Sequence, residues 1–356
     1  MSAAPAQFTL FEFAFVNKNT FSFNHDGPIP WSIVQLFTPV PELPEDLDLK
    51  GKTILVTGGN TGLGYEMASK IIKRGGKVVI GVRSVPKGEM AKARLEKEFE
   101  SADVTIEQVD MADFDSIEAF AGRLNSTIKK LDVAILNAGV YSTTFAKSKY
   151  GYDQHLQTNV LGNTLLSLLL LPQLERAGEL EGKPARLMVV GSETHAFANW
   201  KKASCPDAFE YQTKQLEEGK SRQGYQTSKL FLLLLQRELA VRLDTSKVIV
   251  GDATPGYCAT GLFNELNGFW FARLLERLFA RTVHQGANLC LRAAFRETDE
   301  SFHDGYFAHG KRYKTSQYSR SKGGRAFGAE LWEQAMEILN QHLGDRIKIP
   351  EAKKDR

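Results

Sequence analysis

From residue 52 onward, short apolar runs alternate with longer segments whose apolar residues recur every three to four positions. The first run, residues 53–57, is short, apolar and β-branched, the signature of a buried strand. Residues 62–74 then carry helical spacing. The alternation continues with strands at 77–82, 104–110, 132–136, 186–191 and 247–253, and helices at 87–100, 115–129, 152–174 and 224–242. Strands without a polar face, each followed by a helix, predict a parallel sheet covered on both sides. The expected fold class is therefore α/β, a doubly wound parallel sheet of the Rossmann kind. Without an internal linker, it forms a single domain at 51–345, with an N-terminal extension at 1–50 and a tail at 346–356.

The extension breaks the pattern. It holds Phe8, Phe11, Phe13, Phe15, Phe21 and Phe23, then Pro39, Pro41 and Pro44. Proline interrupts regular structure, and so many exposed aromatics are costly. The segment is expected to wrap over the domain, and a lid over the site is the sharper version of that reading.

Composition narrows the function classes. Hydrophobic residues make up 42% of the 356 positions, and the net charge is only +3. That charge gives no reason to expect nucleic acid as a partner. No run reaches the roughly 18 apolar residues of a membrane-spanning helix, and no basic region followed by an apolar run marks a secretory signal. The densest apolar run, 165–171, and the run 230–235 would suit buried or subunit-facing helices, and hence a homodimer. Cys205, Cys258 and Cys290 form no CxxC or Cys/His cluster, so the reading is free thiols in a cytoplasmic protein, with neither disulfides nor a metal site.

Candidate chemistry begins directly after the first strand, at Thr57-Gly58-Gly59-Asn60-Thr61-Gly62-Leu63-Gly64. Glycines allow a tight turn and close approach of a pyrophosphate to the backbone. The helix that follows presents unbonded N–H groups and a positive dipole end to the anion. The strand–turn–helix context separates this motif from an ordinary glycine turn. The second strand ends in Gly81-Val82-Arg83-Ser84, with no carboxylate for the ribose hydroxyls of NAD. Arg83, 19 residues after Gly64, matches a 2′-phosphate in shape and charge, which favours NADP. Asp110-Met111 after the third strand and Asn137-Ala138-Gly139 after the fourth are further candidates to border the nucleotide. A helix cap or a simple turn would account for either.

Tyr225 and Lys229 are four apart on a predicted helix and share one face. A phenol is a poor acid–base group near neutrality, and a nearby ammonium lowers its pKa. Ser192 follows the fifth strand, where its hydroxyl would meet a substrate oxygen or cap a turn. Asn159 lies mid-helix, an unfavourable place for asparagine, which suggests a functional reason.

Taken in order, the glycine loop, Asn137-Ala138-Gly139, Asn159, Ser192, Tyr225 with Lys229, and Pro255-Gly256 resemble the short-chain dehydrogenase/reductase family over roughly residues 50–345. The runs Thr282-Val283-His284-Gln285-Gly286-Ala287 and Asp304-Gly305-Tyr306-Phe307 resemble its retinol-dehydrogenase-like branch. Gln35-Leu36-Phe37-Thr38-Pro39 is similar to fungal members, many of which work in secondary metabolism. The resemblance implies a tetrad. Tyr225 exchanges a proton with the substrate oxygen, Lys229 depresses its pKa and binds the ribose, Asn159 holds a relay water, and Ser192 orients the carbonyl. Pro255, Gly256 and Thr260 would border the cofactor. Hydride passes directly between nicotinamide and substrate, without a metal. The implied activity is carbonyl reduction or alcohol oxidation. The alternative is a non-catalytic NADP-binding scaffold or redox-sensing regulator, against which the complete tetrad argues.

Two substrate-side insertions, 193–220 and 261–285, depart from the simplest members. The first holds His195, Phe197, Trp200, Cys205 and Phe209 and is expected to form part of the substrate wall. His195 reads first as a hydrogen-bonded structural residue, with substrate contact as the alternative. The second is rich in Leu, Phe and Trp270, which implies a small, bulky apolar or aromatic carbonyl or alcohol as substrate. Arg273, Arg277 and Arg281 recur at helical spacing and read as a solvated face.

Overall fold

The computed structural model describes residue 35 and residues 37–259 and 277–351. Its core is one eight-stranded sheet. The strands are β1 (Thr53–Thr57), β2 (Lys77–Val82), β3 (Val104–Gln108), β4 (Val133–Leu136), β5 (Ala185–Val190), β6 (Val248–Ala253), β7 (Gly305–Ala308) and β8 (Lys311–Tyr313), in the order β3-β2-β1-β4-β5-β6-β7-β8. All pairs are parallel except the final β7–β8 hairpin. Each residue of β1, β4 and β6 is buried, as expected for strands covered on both faces. The order reverses between β1 and β4, which opens a crevice at the carboxyl ends of those strands.

Helices α1 (Gly62–Ile72) and α2 (Val85–Glu98) cover one face. Helices α3 (Phe114–Thr127) and α4 (Asn163–Glu181) cover the other. A short helix α5 (Ala208–Glu217) precedes α6 (Gly224–Ala240). After β6, α7 (Val283–Arg296) opens with a capping box. Thr282 Oγ1 accepts from Gln285 N at 3.2 Å, and Gln285 Oε1 accepts from Thr282 N at 3.0 Å. Two four-residue helices, α8 (Asp299–Phe302) and α9 (Gln317–Arg320), and a long helix α10 (Lys322–Leu343) complete the described elements.

One expectation changes. The helix predicted at 152–174 begins as a π-helical segment, Leu156–Gly162, with Asn159 inside it, and α4 then runs past Pro172. A π turn is the usual resolution when an extra residue must be fitted into a helix, and such turns cluster at functional sites. For the apolar run 230–235, the reading of a buried helix holds within one chain: its residues are all at most 3% exposed. Helix α10 packs over α6, and the Phe231 ring lies 5.5 Å from Phe327 and 4.9 Å from Trp200. Of the N-terminal extension, Leu43 and Leu49 are buried against the domain, and the six phenylalanines lie outside the described residues.

Trp332 sits at the centre of the α10 contact, 2% exposed, with the Arg242 guanidinium 4.5 Å from its ring centroid. Trp332→Ala is expected to cost about 3–5 kcal/mol, measured by chemical denaturation. A loss below about 1 kcal/mol would show that α10 is peripheral to the core.

Candidate active site

Thr57, the last residue of β1, ties the crevice together. Its Oγ1 accepts from the backbone N–H groups of Asn137 and Ala138, each at 3.0 Å, and its carbonyl accepts from Asn137 Nδ2 at 2.9 Å. The loop that follows turns through Gly58 and Gly62, whose φ angles are 68° and 53°, a region that L side chains rarely adopt. A Cβ on Gly64 would lie 2.4 Å from Gly58 O, so backbone packs on backbone there. Thr61, at the start of α1, makes no side-chain cap. The first N–H groups of α1 are therefore left for an anion, and the cradle fits a pyrophosphate.

A cleft of about 750 Å³ opens over this loop. Gly58, Asn60, Thr61, Gly62, Leu63 and Gly64 form one wall. Arg83, Asp110 and Met111 line the end beyond β2 and β3, and Asn137, Ala138 and Gly139 run beneath. Ser192, Tyr225 and Lys229 face the loop, with Pro255 and Gly256 closing the far side. Of the nineteen site positions expected from the sequence, only Asn159 and Thr260 are absent from this lining, and Thr260 lies outside the described residues.

Ser192 opens a 3-10 turn, Glu193–Phe197, and its Oγ accepts from Thr194 N at 3.2 Å and Thr194 Oγ1 at 2.8 Å. Tyr225 stands in the first turn of α6, hydrogen-bonded to Ser192 and edge-on to Tyr141, with ring centroids 5.3 Å apart. Burial pushes its phenol up to about 12, against the lowering effect of Ser192. This differs from the expectation that Lys229 lowers it. The dry wall of the cleft outweighs other influences, and Lys229 Nζ donates to Val190 O at 2.9 Å while standing 5.8 Å from the Tyr225 ring centroid. Burial holds the Lys229 ammonium below its ordinary range, opposed by Asp252.

Asn159 lies beneath the cleft, fully buried. Its Oδ1 accepts from Val140 N at 2.8 Å, and its Nδ2 donates to Val140 O and Ser228 Oγ, each at 3.0 Å. The side chain expected to hold a water thus braces the chain after Gly139 against α6.

The first insertion divides between two places. Phe197 lines the cleft. Trp200, Cys205 and Phe209 belong to the interior around Phe231. His195 is structural: its Nδ1 pairs with Ser192 O at 2.7 Å, its Nε2 accepts from Ser316 N at 3.0 Å, and burial lowers its pKa to about 4. Arg281 is not on a solvated face. It is 4% exposed, and a buried chain links it through His309 (Nη2 to Nδ1, 2.8 Å) to Glu193 (His309 Nε2 to Oε1, 2.8 Å). The physical reason is charge: Glu193, buried beside Ser192, requires a cationic partner. All three cysteines are buried free thiols.

The sequence reading missed Lys87, Tyr141, Thr254 and Cys258, all in the lining. Lys87 was detectable as a second cation four residues after Arg83. The others carry no local pattern, because topology alone brings them to the cleft. Gln35 was also missed as a contact residue. Its Oε1 accepts from Tyr257 N at 2.8 Å, and its Nε2 donates to Tyr257 O at 3.0 Å and Phe279 O at 2.6 Å.

The chain matches a family model described as short chain dehydrogenase over residues 52–202. It is 35% identical to a short chain dehydrogenase of Arthrobotrys oligospora, covering 85% of this chain and 96% of that one. It is 38% identical to the short chain dehydrogenase sol3 of Alternaria solani, covering 77% and 95%. The fold resembles that in the Pseudomonas aeruginosa RhlG/NADP active-site complex (TM-score 0.58, 22% identity, 73% of this chain and 94% of that one). It also resembles salutaridine reductase from Papaver somniferum (TM-score 0.57, 22% identity, 72% and 99%). Among the described residues, no helix is long and apolar enough to cross a membrane. With a dinucleotide cradle, a Ser–Tyr–Lys wall and fungal relatives matching over most of its length, the chain belongs to the short-chain dehydrogenase/reductase family, a family of nicotinamide-dependent oxidoreductases.

Proposed function

We propose that this chain is an NADP-dependent carbonyl reductase or alcohol dehydrogenase for a bulky apolar substrate, with a place in fungal-type secondary metabolism. The observation that carries the reading is Tyr225: a buried phenol, hydrogen-bonded to Ser192, in a cleft whose opposite wall is a pyrophosphate cradle. When bound, the cofactor supplies or accepts the hydride. Arg83, which follows β2, lines the cleft together with Ser84 and with Lys87 from the first turn of α2, and this supports a 2′-phosphate there rather than free ribose hydroxyls. Salutaridine reductase and the RhlG/NADP complex are consistent with that chemistry, as is the kinship with fungal short chain dehydrogenases.

Ser192 orients the substrate oxygen by hydrogen bonding, and Tyr225 gives it a proton during reduction. With its pKa raised to about 12, the phenol keeps that proton throughout the neutral range, which suits an acid. In oxidation the proton flows back, and a charged Lys229 is needed to stabilise the phenolate. Asn159 serves indirectly by fixing Val140 and Ser228. Phe197 and Tyr141 give the substrate end an apolar lining.

Tyr225→Phe is expected to lower turnover about 10²- to 10⁴-fold with NADPH affinity retained, measured by steady-state kinetics and fluorescence titration. Unchanged turnover would sink the mechanism. Arg83→Ala is expected to weaken NADPH binding about ten- to a hundredfold and to leave NADH binding nearly unaffected. An equal loss for both would remove Arg83 from phosphate recognition.

A further inference from the structure

Behind the catalytic wall lies a second cavity of about 450 Å³, enclosed by α6, β6, β7, β8 and α9. Two of its lining residues carry buried acceptors without a hydrogen-bond partner among the described residues: Asp252 Oδ1 and Gln236 Oε1, each residue 4% exposed. Buried acceptors in native proteins are nearly always paired, and a polar cavity of this size holds water. Arg312 and Lys314, both exposed, also line it, so it reaches the surface.

Asp252 is the residue that connects this cavity to the catalytic wall. It lies on β6, opposite Val189 of β5. Its carboxylate presses on Gly191, where a Cβ would meet Asp252 Oδ1 at 2.1 Å. Gly191 is the residue before Ser192, and Val190 before it receives the Lys229 hydrogen bond. The carboxylate therefore sits directly behind both Ser192 and Lys229.

Several charged and titratable groups surround it. From α6, Lys229 faces Asp252, with Tyr225 one turn earlier and Arg237 further along the cavity wall. Tyr306 comes from β7 and Asp304 from just before it. Beyond them, Arg312, Tyr313 and Lys314 lie on and after β8, and Arg320 on α9. Cys290 approaches from α7, and Glu193, with His195 near Tyr306, from the turn after Ser192. The cations of this group other than Lys229 stand on the cavity side, and Asp304 already engages Arg237 at 3.4 Å. Lys229, held against Val190 next to Gly191, is the buried cation whose charge acts on Asp252.

We propose that Asp252 is a positioning residue for the proton chemistry at Tyr225, a carboxylate placed between a rear water-accessible cavity and Lys229 that keeps Lys229 in its charged form. The inference rests on the proposed roles of Tyr225 and Lys229. Its logic is electrostatic. Burial alone favours a neutral amine, and a neutral amine cannot stabilise a phenolate. Asp252 supplies the opposing influence. Burial in turn raises the carboxyl of Asp252, and Lys229 lowers it, so each group sustains the charge of the other.

The test uses Asp252→Asn in the full chain, with protein carrying isotope-labelled lysine. The Lys229 side-chain resonance, assigned by its loss in Lys229→Met, is followed against pH by NMR. Removing the carboxylate leaves burial unopposed, so Lys229 is expected to lose its proton about one pH unit or more lower than in the parent. In parallel, the alkaline limb of kcat/KM for alcohol oxidation is expected to fall increasingly behind the parent as pH rises through that window, reaching about tenfold. An unmoved Lys229 titration overturns the proposal, and so does a moved titration with a superimposable pH–rate profile. Asp252→Ser gives the same readouts if the amide does not fold. Tyr225→Phe is measured alongside: full activity there defeats the underlying reaction scheme, whereas an unmoved Lys229 in Asp252→Asn defeats only the role of Asp252.

Discussion

The site depends on the way Thr57 holds Asn137. The strand order reverses between β1 and β4, and a reversal leaves two strand ends with no helix crossing between them. Something must hold the departing chains in a fixed relation, or the crevice has no defined width. The threonine hydroxyl accepts from two consecutive N–H groups, and the asparagine amide returns a bond to the threonine carbonyl. One polar side chain at the end of β1 and one just after β4 thus fix the loop placed to cradle phosphate and the ledge beneath it. Glycines then let the backbone lie close to that fixed point, and the first turn of α1 follows from it.

The other half of the site is governed by dryness. Tyr225, Lys229, His195, Glu193, Arg281 and Asp252 are all nearly inaccessible, and burial is the first cause of each shift seen in Tyr225, Lys229, His195, Arg281 and Asp252. Low polarity strengthens every charge–charge interaction and penalises every unpaired charge. The chain answers with linked partners: Glu193 with His309 and Arg281 on one side of Ser192, Lys229 with Asp252 on the other. The hydroxyl between them is held by neutral hydrogen bonds alone, and so it remains able to turn toward a substrate oxygen.

The parallel sheet was legible because each strand is a short apolar run and each crossover has helical spacing. The cleft was legible for a related reason. Its residues sit at strand ends, and strand ends are what the alternation of patterns locates. Arg281 shows where that logic stops. Its spacing from Arg273 and Arg277 matches a solvated helix face, yet its surroundings are set by Glu193 and His309, which are far away in sequence. Residues 230–235 show the same limit. An apolar helix face announces that it will be covered, and here the cover is α10, about a hundred residues later, rather than a second chain. Asn159 was noticed because asparagine is out of place in a helix, but the π turn that accommodates it has no sequence pattern of its own.

Gln35 has a consequence for how the molecule is made. Its side chain clasps Tyr257 from both directions and reaches Phe279, contacts separated by 222 and 244 residues. During synthesis the N-terminal segment emerges first, and its partners emerge only after most of the sheet has been translated. Contacts this distant carry a large loop-closure cost and form late. The far side of the cleft, where Tyr257 follows Pro255 and Gly256, is therefore held by a contact that no local stretch of chain can make by itself.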